Sequence, residues 1–538
     1  MANVTDVVVV GSGGAGMTAA LSAAVAGSKV TVIERAPVFG GTTAISGGGM
    51  WLPRNASGQA LGIEDSEEAV RTYLNRVTFG RTAEDVLMSF IENAPKTADF
   101  IVENSPVVLD GTHVADYLTN LPGAHTEGRQ VAPGLYDTNR LGEWKDKVRI
   151  GPWPTTIVFV TQKEKESLPD IGKVGWERIQ TGISGRGRGL VAGLMEPCLA
   201  LGVEFVNNAR LVGLTQSCGR VDGVELLHDS RPERIRARHG VILASGGFEW
   251  NRSLWRSLIG VPFDGPLSPP YNEGDGLVAA ARVGAKLGSL NDVWWMPSYA
   301  KPGDTYDGRP RLRSKPNRGL PHGIVVNRRG RRFVNESINY NDFGKLQVAF
   351  DPHPYEFVNA PSFHIFDQEH RDKYPILENE DEPVEGWPVS APTIRELAER
   401  LGIDPEGLES QVAEFNRNAE QGIDPVFHRG EARWERKHYT WERYKVDDPF
   451  GPSNPAIAPL STPPFYGLEL KIGCFGTKGG VVINSHGQAI DWNDNPIPGL
   501  YAAGNVAATV FGPAYPGGGS TLGPAVTFGY LAGKAIAS

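Results

Sequence analysis

Three cysteines in 538 residues are too few for a disulfide framework. Cys198, Cys218 and Cys474 are scattered without the spacing of metal ligands, so no metal site is expected and a reducing compartment fits. The absence of any CxxC cluster argues against a subunit that only relays electrons. No apolar run approaches the ~20 residues of a membrane span. Positive charge is in deficit: the net charge of −9 argues against nucleic acid as a partner. There is no internal repeat or low-complexity tract. Folded structure is expected from Asp6 onward, which leaves no room for a signal peptide and predicts a cytoplasmic protein. Peripheral contact with a membrane stays open, because an apolar substrate would favour it.

Glycine, in contrast, is abundant, with 66 residues, and suits close backbone approach to a large ligand. The length implies two or more domains. Residues 6–10 (DVVVV) read as a buried strand. GSGGAG follows at 11–16, then an alanine-rich helix from Met17 to Ala26, then a strand from Lys29 to Ile33 that ends at Glu34. This strand–turn–helix–strand unit binds a dinucleotide. Gly11 makes the tight turn, Gly13 admits the pyrophosphate and Gly16 allows close helix packing. Glu34 stands where a carboxylate accepts bonds from the adenosine ribose. A second small-residue run, Gly40–Gly49, offers Thr42, Thr43 and Ser46 as hydroxyl donors beside a ribityl chain and flavin ring. A nicotinamide enzyme would continue with regular β and α elements here, so the run favours FAD over NAD. Gly14, Ala15, Arg35, Gly41, Gly47 and Gly48 complete this part of the FAD contact set. Leu211, Ala244, Ser245, Gly246, Gly504, Asn505 and Leu522 are assigned to FAD from later segments.

Helices are expected over 67–76 and 84–104, with Pro95 breaking or kinking the second. The segment 115–133 is irregular and holds Asp116, Tyr117 and Arg129. Residues 134–180 show little periodicity. The strand 240–244 runs into Ser245-Gly246-Gly247 and is expected to rejoin the nucleotide sheet. A compositional shift at 266–276 marks a domain boundary. Trp294, Trp295 and Met296 offer a broad apolar surface, suited either to core packing or to a large flat ligand. HGIVVNRRGRRFVNES (322–337) reads as a hairpin and a helix start, with Tyr340 in the first turn. Amphipathic helices are expected over 393–401 and 407–421, and the charged stretch 428–447 as a solvated face. From about 460 the chain returns to the first domain. The expected architecture is α/β: a Rossmann-type FAD-binding domain, glutathione-reductase-like, in two parts (1–265 and 461–538), split by an inserted α+β catalytic domain (266–460).

The closing stretch, GLYAAGNVAATVFGPAYPGGGSTLGPAVTFGY, gives a strand, a glycine turn, a loop with Tyr515 and Pro516, and a helix from about Leu522. Gly517–Gly519 let the backbone approach something flat. A hydroxyl and bare amides near a helix start suit a carbonyl gaining negative charge. Alone, the stretch also reads as a glycine-rich surface turn.

Taken together, GSGGAG with Glu34, GGTTAISGG, ILASGGFEWN, NRRGRRFVNES, GTKGG and GLYAAGN resemble the fumarate reductase/succinate dehydrogenase flavoprotein superfamily. The coverage is nearly full length, apart from about 134–180 and 345–455. Fumarate reductases carry an arginine proton donor four residues after the glutamate of the RFxNE motif; here that place is Tyr340. Their substrate-clamping arginine falls at Tyr515. Two phenols in place of two cations point to a neutral carbonyl compound. The pattern resembles the 3-ketosteroid Δ1-dehydrogenases, with DYLTNLPGAHTEGR around Tyr117, WWMP, and YPGGGSTLGPAVTFGY in agreement.

That resemblance implies a flavin-dependent 1,2-desaturation of a 3-ketosteroid. Tyr340 with Tyr117 acts on the C2 proton, Tyr515 and the Gly519 amide hold the C3 oxygen, and the C1 hydride goes to flavin N5. Trp294, Trp295, Met296 and Pro516 are the expected substrate wall. A tyrosine base needs a lowered pKa or a hydrogen-bonded partner, the role expected of Tyr117. A dicarboxylate or enoate reductase and a 3-ketosteroid Δ4-(5α)-dehydrogenase remain as alternatives. The steroid side chain, the electron acceptor (a quinone or another) and the oligomeric state are not given by these motifs.

Overall fold

The computed structural model describes residues 4–151, 159–167, 171–314, 316–374, 376, 384–438 and 454–537. Two large sheets organise the chain. The first has eight strands and draws them from both ends of the sequence. Its path runs Gln488–Ile490, Pro496–Ala502, Arg231–Leu243, Val4–Val10, Val30–Ile33 and Glu204–Val206. All neighbours from Pro496–Ala502 to Glu204–Val206 are parallel. Strands Ala209–Ser217 and Arg220–His228 extend it as an antiparallel ribbon. Val7, Val8 and Val9 are fully buried, as near-continuous apolar strands of parallel sheets are.

Small residues decide how the helices pack on this sheet. The helix Gly14–Val25 lies against the terminal helix Leu522–Ala537. A Cβ on Gly529 would stand 2.5 Å from the Ala15 carbonyl oxygen, and one on Gly533 2.4 Å from that of Ala19. Hydrogen lets the two backbones meet; any side chain would separate them.

The second sheet has seven strands and centres on one long strand, Phe465–Thr477. Val293–Tyr299 and Ser362–Phe366 flank it on either side, both antiparallel, and Gly323–Asn327 follows Ser362–Phe366. Phe465–Thr477 lies past residue 460, yet pairs in this sheet.

Two expectations need correction. Pro95 does not break its helix, which runs unbroken over Glu84–Asn104. Leu87, Phe90, Ile91, Ala94 and Ile101 along it are buried, and several such side chains at about 1.5–3 kcal/mol each outweigh the ~3 kcal/mol cost of proline. The start of the 428–447 stretch is a solvated face only in part: His428, Glu431, Arg433, Arg436 and Lys437 are exposed. Arg429 is fully buried, and Trp434 and Glu435 nearly so. Residues 439–447 lie outside the described residues, as do parts of 134–180.

Candidate active site

The glycines that lead into the helix Gly14–Val25 show how a cofactor would fit. Gly11, at φ +103°, would press a Cβ to 2.4 Å from the Ala244 oxygen, and Gly16 one to 2.0 Å from the Gly11 oxygen. Both are packing positions. Gly13 differs: a Cβ there meets nothing closer than the Thr43 hydroxyl at 3.4 Å, and one on Gly41 nothing closer than 3.8 Å. The absence of close contacts over Gly13 and Gly41, at the positive start of the helix Gly14–Val25, fits a pyrophosphate. Glu34 is buried beside it, accepting from the Ser12 N–H and hydroxyl (3.1 and 2.6 Å) and the Ala36 N–H (2.9 Å). Thr43 accepts from the Gly14 N–H at 2.9 Å, and Thr42 from Asn272 at 3.3 Å.

Other assigned positions fall around this groove. Ala244 and Ser245 adjoin Gly11. Ser46 turns back on the Thr43 carbonyl, and Gly48 packs on the Arg186–Gly187 backbone. Gly47 lies near the Arg186 guanidinium, and a Cβ on Gly246 would strike Asn272. Leu211 is buried on the strand beginning at Ala209, whose N–H bonds the Glu34 carbonyl. Leu522 touches Gly14, and Gly504 faces Ala15. Arg35 is committed elsewhere, to Glu273 (2.6 Å) and Asp275 (3.2 Å).

Three phenols meet at one point. The Tyr117 hydroxyl donates to that of Tyr340 at 3.2 Å. The rings of Tyr117 and Tyr515 stack at 5.4 Å, and those of Tyr340 and Tyr515 meet edge to face at 5.0 Å. The Tyr515 hydroxyl lies 3.4 Å from that of Thr521. Trp294, Trp434 and Phe475 enclose the group, at 5.3 Å from Tyr515, 4.3 Å from Tyr117 and 5.7 Å from Tyr340 respectively. Tyr340 keeps partial exposure although protein surrounds it closely, as a residue lining a cleft does.

Each phenol is held by a different piece of chain. Tyr117 follows Asp116, whose buried carboxylate accepts from Trp51 Nε1 (2.8 Å), the His125 N–H (2.8 Å) and Arg129 (2.7 Å). Arg129 is itself buried and also pairs with Asp65 at 2.8 Å. The Tyr117 N–H and the Tyr73 hydroxyl both donate to the Pro516 carbonyl, at 2.9 and 2.7 Å. Tyr340 opens the helix Tyr340–Gln347, capped by Asn339, whose side chain accepts from the Asp342 N–H. Just upstream, buried Glu336 binds Arg332 (2.6 Å) and Arg429 (3.3 Å). The motif glutamate is thus an anchor for the segment that carries Tyr340. Gly517 packs edge-on to Trp51, and Gly519, at φ +93°, packs on the Gly49–Met50 backbone. The Gly519 carbonyl accepts from the Trp51 and Gly523 N–H groups, while its own N–H makes no hydrogen bond among the described residues.

Burial pushes the Tyr340 phenol well above its ordinary range, with Tyr117 and Tyr515 adding to the rise. Tyr515 is also raised by burial, against hydrogen bonds from Thr521 and Tyr340 that oppose it. Of the two conditions for a tyrosine base, this structure provides the partner and not the lowered pKa. The expected tryptophan wall is also corrected. Trp294 and Trp295 are neighbours on the strand Val293–Tyr299 and therefore face opposite ways. Trp294 meets Tyr515, whereas Trp295 packs with Trp255, Val293 and Ile472 and donates to Asp292 at 2.9 Å. Met296 is buried on the same strand. Trp434 was hidden within a charged stretch that gave no signal of burial.

Comparison with known proteins gives the family. Residues 6–522 match the family described as FAD binding domain. A 4-oxocyclohexanecarboxylate 2-dehydrogenase of Sinomonas cyclohexanicum is 37% identical over 99% of this chain and 92% of its own. A 3-oxosteroid 1-dehydrogenase of Mycolicibacterium smegmatis is 36% identical over 99% and 97%. The crystal structure of 3-ketosteroid delta1-dehydrogenase from Sterolibacterium denitrificans, in complex with 1,4-androstadiene-3,17-dione, superposes with a TM-score of 0.90 at 32% identity, covering 99% of both chains.

Proposed function

The chain belongs to the FAD-binding flavoprotein family that includes the 3-oxosteroid 1-dehydrogenases, and from that premise we propose that it desaturates the ring of a 3-ketosteroid between C1 and C2. It is an FAD-dependent oxidoreductase. The observation that carries the proposal is the meeting of Tyr117, Tyr340 and Tyr515 in one aromatic enclosure. Desaturation next to a ketone removes a proton from the α carbon and a hydrogen with its electron pair from the β carbon. Bound FAD is the acceptor of that electron pair.

The remaining work belongs to the protein. The Tyr515 hydroxyl and the Gly519 N–H donate to the ketone oxygen, where charge gathers as the α proton leaves; one such donor contributes about 2.7–4 kcal/mol in comparable sites. Tyr340, in its phenolate form, takes the α proton on its oxygen and becomes the neutral phenol. Tyr117, 3.2 Å from that same oxygen, holds it in place. Trp294, Phe475 and Trp434 exclude water, which strengthens each of these interactions. Gly13, Gly41, Thr43, Glu34 and the start of the helix Gly14–Val25 hold the cofactor. The nucleotide-binding part is taken to comprise both ends of the chain, with the second sheet and its helices as an inserted domain.

A second reading rests on the similar identity to the 4-oxocyclohexanecarboxylate enzyme: a single ring ketone bearing a carboxylate. The side chains packed directly on the three tyrosines, Trp434, Trp294 and Phe475, suit the neutral steroid. Anaerobic bleaching of the flavin by androst-4-ene-3,17-dione, beside 4-oxocyclohexanecarboxylate, separates the two. Bleaching by neither, with reoxidation of the reduced protein by fumarate, would replace both with a reductase.

A further inference from the structure

One backbone carbonyl joins the two tyrosines that the reaction needs. The Pro513 oxygen, two residues before Tyr515, accepts from Lys478 Nζ at 2.8 Å and from Lys345 Nζ, with Asn341 Nδ2 at 3.5 Å. Asn341 and Lys345 lie on the helix Tyr340–Gln347, which begins with Tyr340. Lys478 comes from a third place, just after the central strand of the second sheet. Its own N–H donates to the Asp292 carbonyl, and its carbonyl accepts from the Thr509 N–H, so its backbone is fixed between the tryptophan strand and the Tyr515 loop.

Lys478 is fully buried. Its ammonium donates to Asp292 at 3.0 Å and lies 4.9 Å from the centre of the Trp294 ring, the ring that packs on Tyr515. Asp292 in turn fixes the neighbouring strand by accepting from Trp295 Nε1 and the Val293 N–H. The charged groups facing Lys478 are Asp292, Lys345 and Asp342. A fully buried ammonium is costly unless its donors are used. Here one goes to the loop of a catalytic tyrosine and one to Asp292, which precedes the strand packed against that loop.

We propose that Lys478, with Lys345, is a positioning residue that clamps the Pro513 carbonyl and thereby fixes the Tyr515 hydroxyl relative to Tyr340. This inference rests on the ring-ketone desaturase reading. Lys478 touches neither tyrosine hydroxyl, so its effect must pass through the loop. Burial lowers the Lys478 pKa to about 8, against the pull of Asp292, so the ammonium loses its proton in the mildly alkaline range. The clamp then keeps its hydrogen bonds but not its charge.

The test is a double-mutant cycle in the full chain loaded with FAD. Lys478→Met keeps the volume and removes donor and charge. In the parent, it should cut the rate of flavin bleaching by a ring ketone between about 10- and 100-fold, as a misplacement near 1 Å does. In the Tyr515→Phe background, which has already lost the hydroxyl being positioned, it should cost less than about 3-fold. Lys478→Gln, which retains a donor, should recover part of the loss, and flavin content should stay at the parental level. Equal losses in both backgrounds would overturn the proposal, as would no loss in the parent. Should Lys478→Met not fold, Lys345→Met removes the second donor to the same oxygen from a partly exposed site and is read in the same cycle. Failure of the parent itself to bleach with any ring ketone would strike the desaturase reading; loss of coupling in an active parent strikes the clamp alone.

Discussion

The Tyr117 hydroxyl donates to the Tyr340 hydroxyl at 3.2 Å, across 223 residues of sequence, and their rings meet edge to face at 5.6 Å. The donor therefore points at the oxygen that must become negative. Tyr340→Phe should nearly abolish flavin bleaching by the ketone while leaving binding of the steroid within a few-fold. Tyr117→Phe removes the group that orients Tyr340 and not the base, so its loss should be milder, about 10–100-fold. Stopped-flow bleaching beside a binding titration measures both. Wild-type bleaching by Tyr340→Phe would make Tyr340 a packing residue.

Burial sets the pH dependence. A phenol raised well above its ordinary value near pH ~10 is almost wholly neutral at pH 7. The reactive anion then grows about tenfold per pH unit until its pKa is reached. The single-turnover bleaching rate should climb through the neutral and alkaline range without levelling off below pH ~10. A lowered pKa would give the opposite picture, a plateau near neutrality. Finding that plateau would show that bound cofactor or substrate reverses the effect of burial.

Tyr515 and Gly519 share one task, and only one of them can be removed by substitution. Tyr515→Phe should slow turnover on the order of 10²–10³-fold, leaving the Gly519 amide as the remaining donor. The same variant should weaken binding of a dienone product much less, because the extra charge on oxygen exists only during the reaction. An equal loss in product affinity and in rate would assign Tyr515 to ground-state binding.

What could be read from sequence divides along physical lines. The nucleotide unit was legible because its signals are local: a valine run, glycines at fixed offsets, and a helix all lie within Val4–Val25. Tyr340 and Tyr515 were legible because each sits at a fixed distance from a motif. Of the two readings of Trp295, core packing holds and the shared surface with Trp294 does not, because a strand sends adjacent side chains to opposite faces. Trp434 and Arg429 were misread. Their neighbours are charged, so composition suggested solvent, but Arg429 is buried against Glu336 and Trp434 against Tyr117. Lys478 gave no warning, since its partners Asp292 and Pro513 are 186 and 35 residues away.

Glu34 offers a test of the cofactor site apart from the chemistry. Its carboxylate is held by Ser12 and Ala36, and the Ser12 hydroxyl in turn accepts from the Gly40 N–H. Glu34→Ala should therefore lower FAD content and raise the dissociation constant for added FAD. Protein that is reloaded should bleach at close to the parental rate, because the tyrosines are unaffected. Unchanged flavin content would mean that the ribose is held elsewhere.

The glycines of the first turn separate folding from binding most sharply. Gly13 and Gly16 are three residues apart, but an added methyl group meets opposite surroundings. At Gly16 it would fall 2.0 Å from the Gly11 oxygen, which is backbone and cannot move aside. Gly16→Ala should destabilise the protein whether or not FAD is present, by an amount typical of overpacking, about 1–3 kcal/mol. At Gly13 the nearest atom is 3.4 Å away, in ordinary contact, and the backbone there is extended with a negative φ that alanine adopts freely. Gly13→Val should leave the melting temperature of FAD-free protein within a few degrees of the parent's, and should strip the protein of flavin by filling the space meant for the pyrophosphate. Thermal melts of FAD-free protein, with flavin content measured on the same samples, read both effects. If Gly13→Val retains its flavin, the pyrophosphate does not lie over that glycine; if both variants melt alike, the division of the turn into a packing glycine and a binding glycine is wrong.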